Sequence, residues 1–311
     1  MHTMSQVYSK FDIETIFADN SRGISFPSTI RYAIIGDDID DRCKITHHFL
    51  ADHYKIISIS YDAESFNVSF AGRKNDADDF NDFIKELHFG DNEVLIDCTS
   101  VNVPELLLLI GALYESGVKH FSALYVEPKN YSHLQKLEIG NERKFELSNK
   151  YLGFKGIPGY LLSLDSGDYV AFCCGYEPER VMNAFDDESI SSKYATLIFG
   201  MPPFNAGWDM NAYENHVNFI DSQTIRNISY CGSTNPLAVI KKLDEMYDSL
   251  QNEEKLFVAP LGTKPMSLGA CLFIIASGDR ERVALLFDHP VKKPGRSIDN
   301  GKWHLYNINI S

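Results

Sequence analysis

The chain has 311 residues and a formal net charge of −14; 44% of its residues are hydrophobic and 23% are charged. This length allows one large or two ordinary domains, and the composition is that of a globular protein, which excludes a chain disordered throughout. The excess of acidic residues disfavours nonspecific nucleic-acid binding, although it leaves room for a local basic pocket that accepts one small anion.

Strand-like and helix-like segments alternate along the first half of the chain. Each predicted strand is a continuous apolar run, which is typical of parallel strands covered on both faces. The strands are RYAIIG at 31–36, the run YKIISIS, VLIDC at 94–98 and HFSALYV at 120–126. The predicted helices are a stretch that ends near residue 53, then FNDFIKELHF, then VPELLLLIGALYESG.

The stretch 129–166 interrupts this alternation, since it is charged at first and then rich in glycine and tyrosine. A linker, an insertion and a hairpin all fit it. The alternation resumes with predicted strands at 169–174, 194–200 and 255–259. Repeated strand-helix-strand units predict a Rossmann-like α/β fold of mostly parallel sheets flanked by helices. We expect two lobes, an N-terminal Rossmann-like lobe at 1–155 and a C-terminal α/β lobe at 156–311.

The sequence indicates a cytoplasmic protein without a membrane segment. Its longest strongly apolar stretch, VPELLLLIGALYESGV, contains two glutamates and is too short to cross a bilayer. The N-terminal residues lack the apolar segment of a secretion signal. No CxxC pair is present, so we expect six reduced, buried thiols, at Cys43, Cys98, Cys173, Cys174, Cys231 and Cys271.

The clearest candidate site is the turn LGTKPM, which follows the predicted strand at 255–259. The carboxyl ends of strands face the ligand crevice of an open α/β sheet. Here Gly262 would allow a close backbone approach, Thr263 offers a hydroxyl and Lys264 a positive charge, which together suit a phosphate. The alternative is a structural corner that Pro260 and Pro265 fix and Thr263 caps.

Two further strand ends carry candidate ligand-binding residues. Thr99 and Ser100 follow VLIDC, and Arg296 belongs to KKPGRS, the densest basic cluster of an acidic chain. If these residues face the same crevice as Lys264, they complete a pocket for a small anion. The acidic run from Asp37 to Asp41 reads better as a helix start than as a metal site, and we assign no metal and no catalytic residue.

The residues Gly262, Thr263, Lys264 and Met266 form a G-T-K-P-M stretch after a late strand, which resembles the G-[TS]-K-x-M stretch of CRISPR-associated Rossmann fold (CARF) domains. The strand end at Thr99 and Ser100 is similar to the first half of these domains. The resemblance implies a Rossmann-like sensor of small cyclic or linear oligonucleotides in antiviral signalling, usually dimeric, in which Thr263 and Lys264 contact the ligand's phosphates. The nuclease or helix-turn-helix effector common in the family is not recognisable here.

Three functions fit these observations. The first is a nucleotide- or phosphate-binding regulatory, sensor-like protein in bacterial antiviral defence. The second is an enzyme that acts on a nucleotide or phosphorylated metabolite in the same cleft, and the third is a protein-interaction subunit with a degenerate Rossmann fold. The expected ligand is a small anion such as a nucleotide. The expected protein partners are either further copies of the chain or another protein.

Overall fold

The computed structural model describes residues 7–131 and 147–311, so the described part of the stretch 129–166 excludes residues 132–146. The strands are β1 (Phe11–Ala18), β2 (Tyr32–Ile35), β3 (Lys55–Asp62), β4 (Asn67–Phe70), β5 (Arg73–Asp76), β6 (Val94–Asp97), β7 (His120–Tyr131), β8 (Ser148–Tyr151), β9 (Tyr169–Cys174), β10 (Ala195–Gly200), β11 (Asn227–Cys231), β12 (Leu256–Pro260), β13 (Val283–Leu285), β14 (Pro290–Lys292) and β15 (Ser297–Ile310). The helices are α1 (Asp41–Ala51), α2 (Phe80–Glu86), α3 (Val103–Glu115), α4 (Pro178–Glu188), α5 (Trp208–Gln223), α6 (Pro236–Asp248) and α7 (Lys264–Ser277).

The chain forms two compact units. The mixed-sheet unit comprises the described residues 9–131 and 294–311, and the parallel-sheet unit comprises 7–8 and 147–293. From the sequence we expected a different division, with the boundary of the two lobes between residues 155 and 156. Nothing in the alternation of strands and helices indicated that the last strand, β15, belongs to the same sheet as β7.

The mixed-sheet unit is built on eight strands in the order β1-β15-β7-β6-β2-β3-β4-β5. The four central strands β7, β6, β2 and β3 pair in parallel, because α1 and α3 are crossover helices between them. The outer strands on both sides pair antiparallel. The expectation of mostly parallel sheets is therefore wrong for this sheet, where short turns join β3, β4 and β5 into a meander.

The core of this unit lies on both faces of the parallel strands. Helix α3 is the most apolar element, and eleven of its thirteen residues are buried. On the opposite face, buried side chains of the sheet and of α1 form one cluster that includes Leu50, Leu95, Leu124, Trp303 and Leu305. Burial on both faces explains why β2 and β6 read as continuous apolar runs.

The parallel-sheet unit contains five strands in the order β11-β10-β9-β12-β13, and every neighbouring pair is parallel. Helices α4, α5, α6 and α7 alternate with these strands along the chain. A separate antiparallel pair, β8 and β14, completes the described strands. The α/β class and the parallel arrangement of β9, β10 and β12 confirm the sequence-based prediction for this part of the chain.

Two simpler expectations also have an outcome. No helix among the described residues is long and apolar enough to cross a membrane. All six cysteines lie within the described residues, are buried and form no disulfide. Burial raises the pKa of Cys173 and Cys174, so both side chains are neutral thiols near pH 7.

Candidate functional site

The carboxyl ends of the five parallel strands lie together at one end of the parallel sheet. From β9 the chain proceeds outward through β10 to β11, and it then returns to β12 on the other side of β9. This reversal of strand order is the place where open α/β sheets form their ligand crevice. The loops that follow β9 and β12 flank the reversal, and the turn at Gly262–Lys264 belongs to the second of these loops.

Thr263 caps the helix that starts at this turn. Its backbone is extended (φ −70°, ψ 156°), and its hydroxyl accepts the N–H of Met266 at 3.4 Å. The same hydroxyl donates to the carbonyl oxygen of Ser233 at 2.7 Å, which ties the loop after β11 to the loop after β12. Lys264 is the half-buried first residue of α7, and Pro265 follows it. The capping role expected of Thr263 is thus confirmed, while its contact with a ligand stays a prediction.

Glycines let the backbones of neighbouring loops pack directly against one another at the carboxyl ends of these strands. A side chain at Gly262 would place its Cβ 3.0 Å from the carbonyl oxygen of Cys174, and one at Gly175 would lie 2.7 Å from that of Leu261. A Cβ at Gly200 would meet the hydroxyl of Ser233. A side chain at any of these positions would be crowded, so the loops after β9, β10, β11 and β12 form one closely packed surface.

A buried ion pair supports the backbone immediately before the turn. Arg180 on α4 donates from Nε to the carboxylate of Asp288 at 2.8 Å, and both side chains are almost fully buried. Arg180 also donates from Nη1 to the carbonyl oxygen of Leu261 at 3.3 Å, immediately before the turn. Burial alone would lower the pKa of Arg180, but the Asp288 carboxylate raises it above its ordinary value. The turn therefore rests on a permanently charged guanidinium.

Aromatic side chains lie beside the loops after β9 and β10. The rings of Tyr176 and Trp208 meet edge to face, with centroids 6.1 Å apart, and Trp208 is buried. The amide of Asn215 donates to the carbonyl oxygen of Tyr176 at 3.3 Å. Trp208 therefore packs within the unit, whereas Tyr176 and Phe204 are only half-buried.

Thr99 and Ser100 lie in the mixed-sheet unit, where both are buried. The Thr99 hydroxyl accepts the N–H of Val126 at 3.1 Å. The Ser100 hydroxyl accepts the N–H of Gly36 at 2.9 Å and donates to Asp97 at 2.7 Å. Both hydroxyls therefore join the ends of β2, β6 and β7 to one another. The structure gives them internal partners, and their predicted contact with a ligand stays a prediction.

Arg296 also lies in the mixed-sheet unit, within a buried polar cluster at the start of α1. Asp40 caps this helix by accepting the N–H groups of Arg42 and Cys43. The Arg42 guanidinium binds Asp40 at 2.7 Å, and Arg296 Nε lies 3.9 Å from the same carboxylate. Burial and the charge of Arg42 lower the pKa of Arg296. Asp40 is thus a helix cap, and the described residues contain no group of side chains suited to a metal ion.

The predicted site residues fall into two groups. Gly262, Thr263 and Lys264 belong to the parallel-sheet unit, and Thr99, Ser100 and Arg296 belong to the mixed-sheet unit. No family model and no curated protein matches the chain.

Proposed function

We propose that the parallel-sheet unit is Rossmann-like and binds a phosphate-bearing small molecule, a nucleotide, at the turn Gly262–Lys264. The observation that carries this proposal is the position of that turn, which lies beside the reversal of strand order and opens α7. The positive end of a helix dipole attracts an anion there, and the Lys264 ammonium adds a full charge. The strand order supports the same assignment, because nucleotide-binding doubly wound sheets reverse at their switch point.

We propose further that the protein has a regulatory role. The buried ion pair near the turn supports the backbone of Leu261, through a hydrogen bond from Arg180. A rigid turn held by Thr263, Arg180 and close glycine packing suits the recognition of a ligand more directly than it suits chemistry upon it. Together with the CARF-like G-T-K-P-M stretch, this supports a sensor-like protein in antiviral defence, whose six buried thiols suit the cytoplasm.

Mass spectrometry of small molecules released from the purified protein tests this proposal. We expect a nucleotide to be released from the unaltered chain and far less of it from Lys264→Ala. Lys242→Ala is the matched control, because Lys242 is a helix lysine of the same unit that pairs with Glu245 on the surface. Equal release from Lys264→Ala and the control would contradict binding at the turn. If no phosphorylated compound is released and none binds on titration, the proposal fails altogether.

A further inference from the structure

A cavity of about 110 Å³ lies in the parallel-sheet unit, between strands β12 and β13 and the irregular segment 154–164. Nine of its twelve lining residues carry apolar or aromatic side chains. Of these, Phe257, Leu285 and Phe287 are buried, whereas Leu161 retains 59% of its accessible area. The cavity is therefore an apolar pocket that opens to solvent beside Leu161, which is the usual form of a site for a small molecule.

The segment 154–164 is held in place near both of its ends. The His289 ring donates from Nε2 to the carbonyl oxygen of Lys155 at 2.9 Å. The Lys255 ammonium group donates to the carbonyl oxygen of Ser163, also at 2.9 Å. Hydrogen bonds from the body of the unit thus fix this wall of the cavity, so that a ligand would meet a preformed pocket and lose little free energy to ordering it.

Two side chains of opposite charge, Lys155 and Glu188, also line the cavity. Both residues are half-buried, and within the described part of the chain neither side chain forms an ion pair or a hydrogen bond. Burial and the neighbouring carboxylate of Asp187 raise the pKa of Glu188, so a positive charge beside it would be favourable. Charges withdrawn from water are unfavourable without a partner, and a ligand that carries both opposite charges would supply one to each.

We propose that this cavity binds a free α-amino acid with a branched aliphatic side chain, such as leucine. The side chain enters the apolar part of the cavity, the ammonium group pairs with Glu188, and the carboxylate pairs with Lys155. An apolar cavity of about 150 Å³ in another protein holds benzene. The smaller volume of about 110 Å³ therefore suits an aliphatic group of leucine's size.

The two opposite charges distinguish this ligand from other apolar molecules. A fatty acid would be attracted by Lys155, but it would bring its carboxylate towards Glu188, and an alkylamine would meet the reverse conflict. An amino acid carries both charges next to its apolar side chain and conflicts with neither residue. The inference is independent of the proposed nucleotide, because no lining residue of the cavity belongs to the turn Gly262–Lys264.

Isothermal titration calorimetry of the full chain with L-leucine tests the proposal. We expect leucine to bind, and N-acetyl-leucine and leucinamide, which each lack one charge, to bind at least about tenfold more weakly. Serine keeps both charges but lacks the apolar side chain, so it should also bind more weakly. Where the heat of binding is small, saturation-transfer NMR detects contact between leucine and the protein. Absence of that contact, or equal binding of leucine and N-acetyl-leucine, would overturn the proposal.

Variants of the two charged residues locate the binding site. Glu188→Gln and Lys155→Gln should each weaken leucine binding about tenfold, with an unchanged circular dichroism spectrum. Asp186→Asn is the matched control, because it removes one negative charge from an exposed position of the same helix that does not line the cavity. It should bind leucine as the unaltered chain does. Leucine binding that is the same in Glu188→Gln as in this control would contradict a site in this cavity.

Discussion

The ion pair between Arg180 and Asp288 should be among the most sensitive points of the parallel-sheet unit. Both side chains are almost fully buried, and Asp288 receives hydrogen bonds from two nitrogens of the guanidinium. Asp288→Leu leaves the Arg180 charge in a dry interior without its counter-ion. Breaking a buried pair in this way costs about 3–5 kcal/mol, a large part of the about 5–15 kcal/mol that stabilises a typical native domain.

Removing both charges should cost far less than the single changes suggest. The double variant Arg180→Met/Asp288→Leu fills the same space with apolar groups and leaves no stranded charge. Its loss should therefore be smaller than the sum of the two single losses by about 2–3 kcal/mol, as for other directly contacting residues. Urea unfolding of the four proteins gives these free energies, provided that the dependence on urea is unchanged. A loss below about 1 kcal/mol for Asp288→Leu, or strict additivity, would refute a buried, charged pair.

Three further changes have defined outcomes. Burial lowers the pKa of His216 to about 4, so the folded protein keeps this ring neutral while the unfolded chain protonates it below about pH 6.5. The stability that follows from the neutral ring is complete above pH 6.5 and is lost towards pH 4. Between pH 7 and pH 5, the unaltered chain should therefore lose about 2 kcal/mol more unfolding free energy than His216→Phe loses. Gly36→Ala should destabilise by about 1–3 kcal/mol, because its Cβ would lie 2.5 Å from the Ser100 carbonyl oxygen. Gly167→Ala, which meets nothing within 4 Å, should leave the melting temperature nearly unchanged. Alkylation without reductant should modify all six thiols after unfolding and almost none before, and a protected pair in the unfolded chain would contradict the free thiols.

The strands of the parallel sheet could be predicted from sequence because burial leaves a direct signature. Strands β9, β10 and β12 are covered on both faces and therefore read as unbroken apolar runs. The direction of β15 left no comparable signature. It pairs with β7 and β1 across most of the length of the chain, and no local pattern distinguishes an antiparallel partner so distant from a parallel one.

The candidate site could be predicted only where its determinants are local. The capping role of Thr263 depends on residues three positions apart, so the sequence alone indicated it. The support from Arg180 could not be predicted, because Asp288 is 108 residues away and neither residue belongs to a recognisable motif. For Thr99 and Ser100 a local pattern suggested a role that the structure does not show. Their position after a strand suggested a ligand, but both hydroxyls bond to neighbouring strand ends within the protein.

Isothermal titration calorimetry of Lys264→Ala tests the central claim most directly, with cyclic and linear oligonucleotides as ligands and inorganic pyrophosphate as the minimal probe. Loss of one charge-assisted hydrogen bond should weaken binding by about 1.5–3 kcal/mol, which is more than tenfold in affinity. The melting temperature without ligand should stay unchanged, because Lys264 is only half-buried at the start of α7. Lys242→Ala should bind as the unaltered chain does. A large loss of stability with no change in affinity would contradict the account and leave the turn as a structural corner.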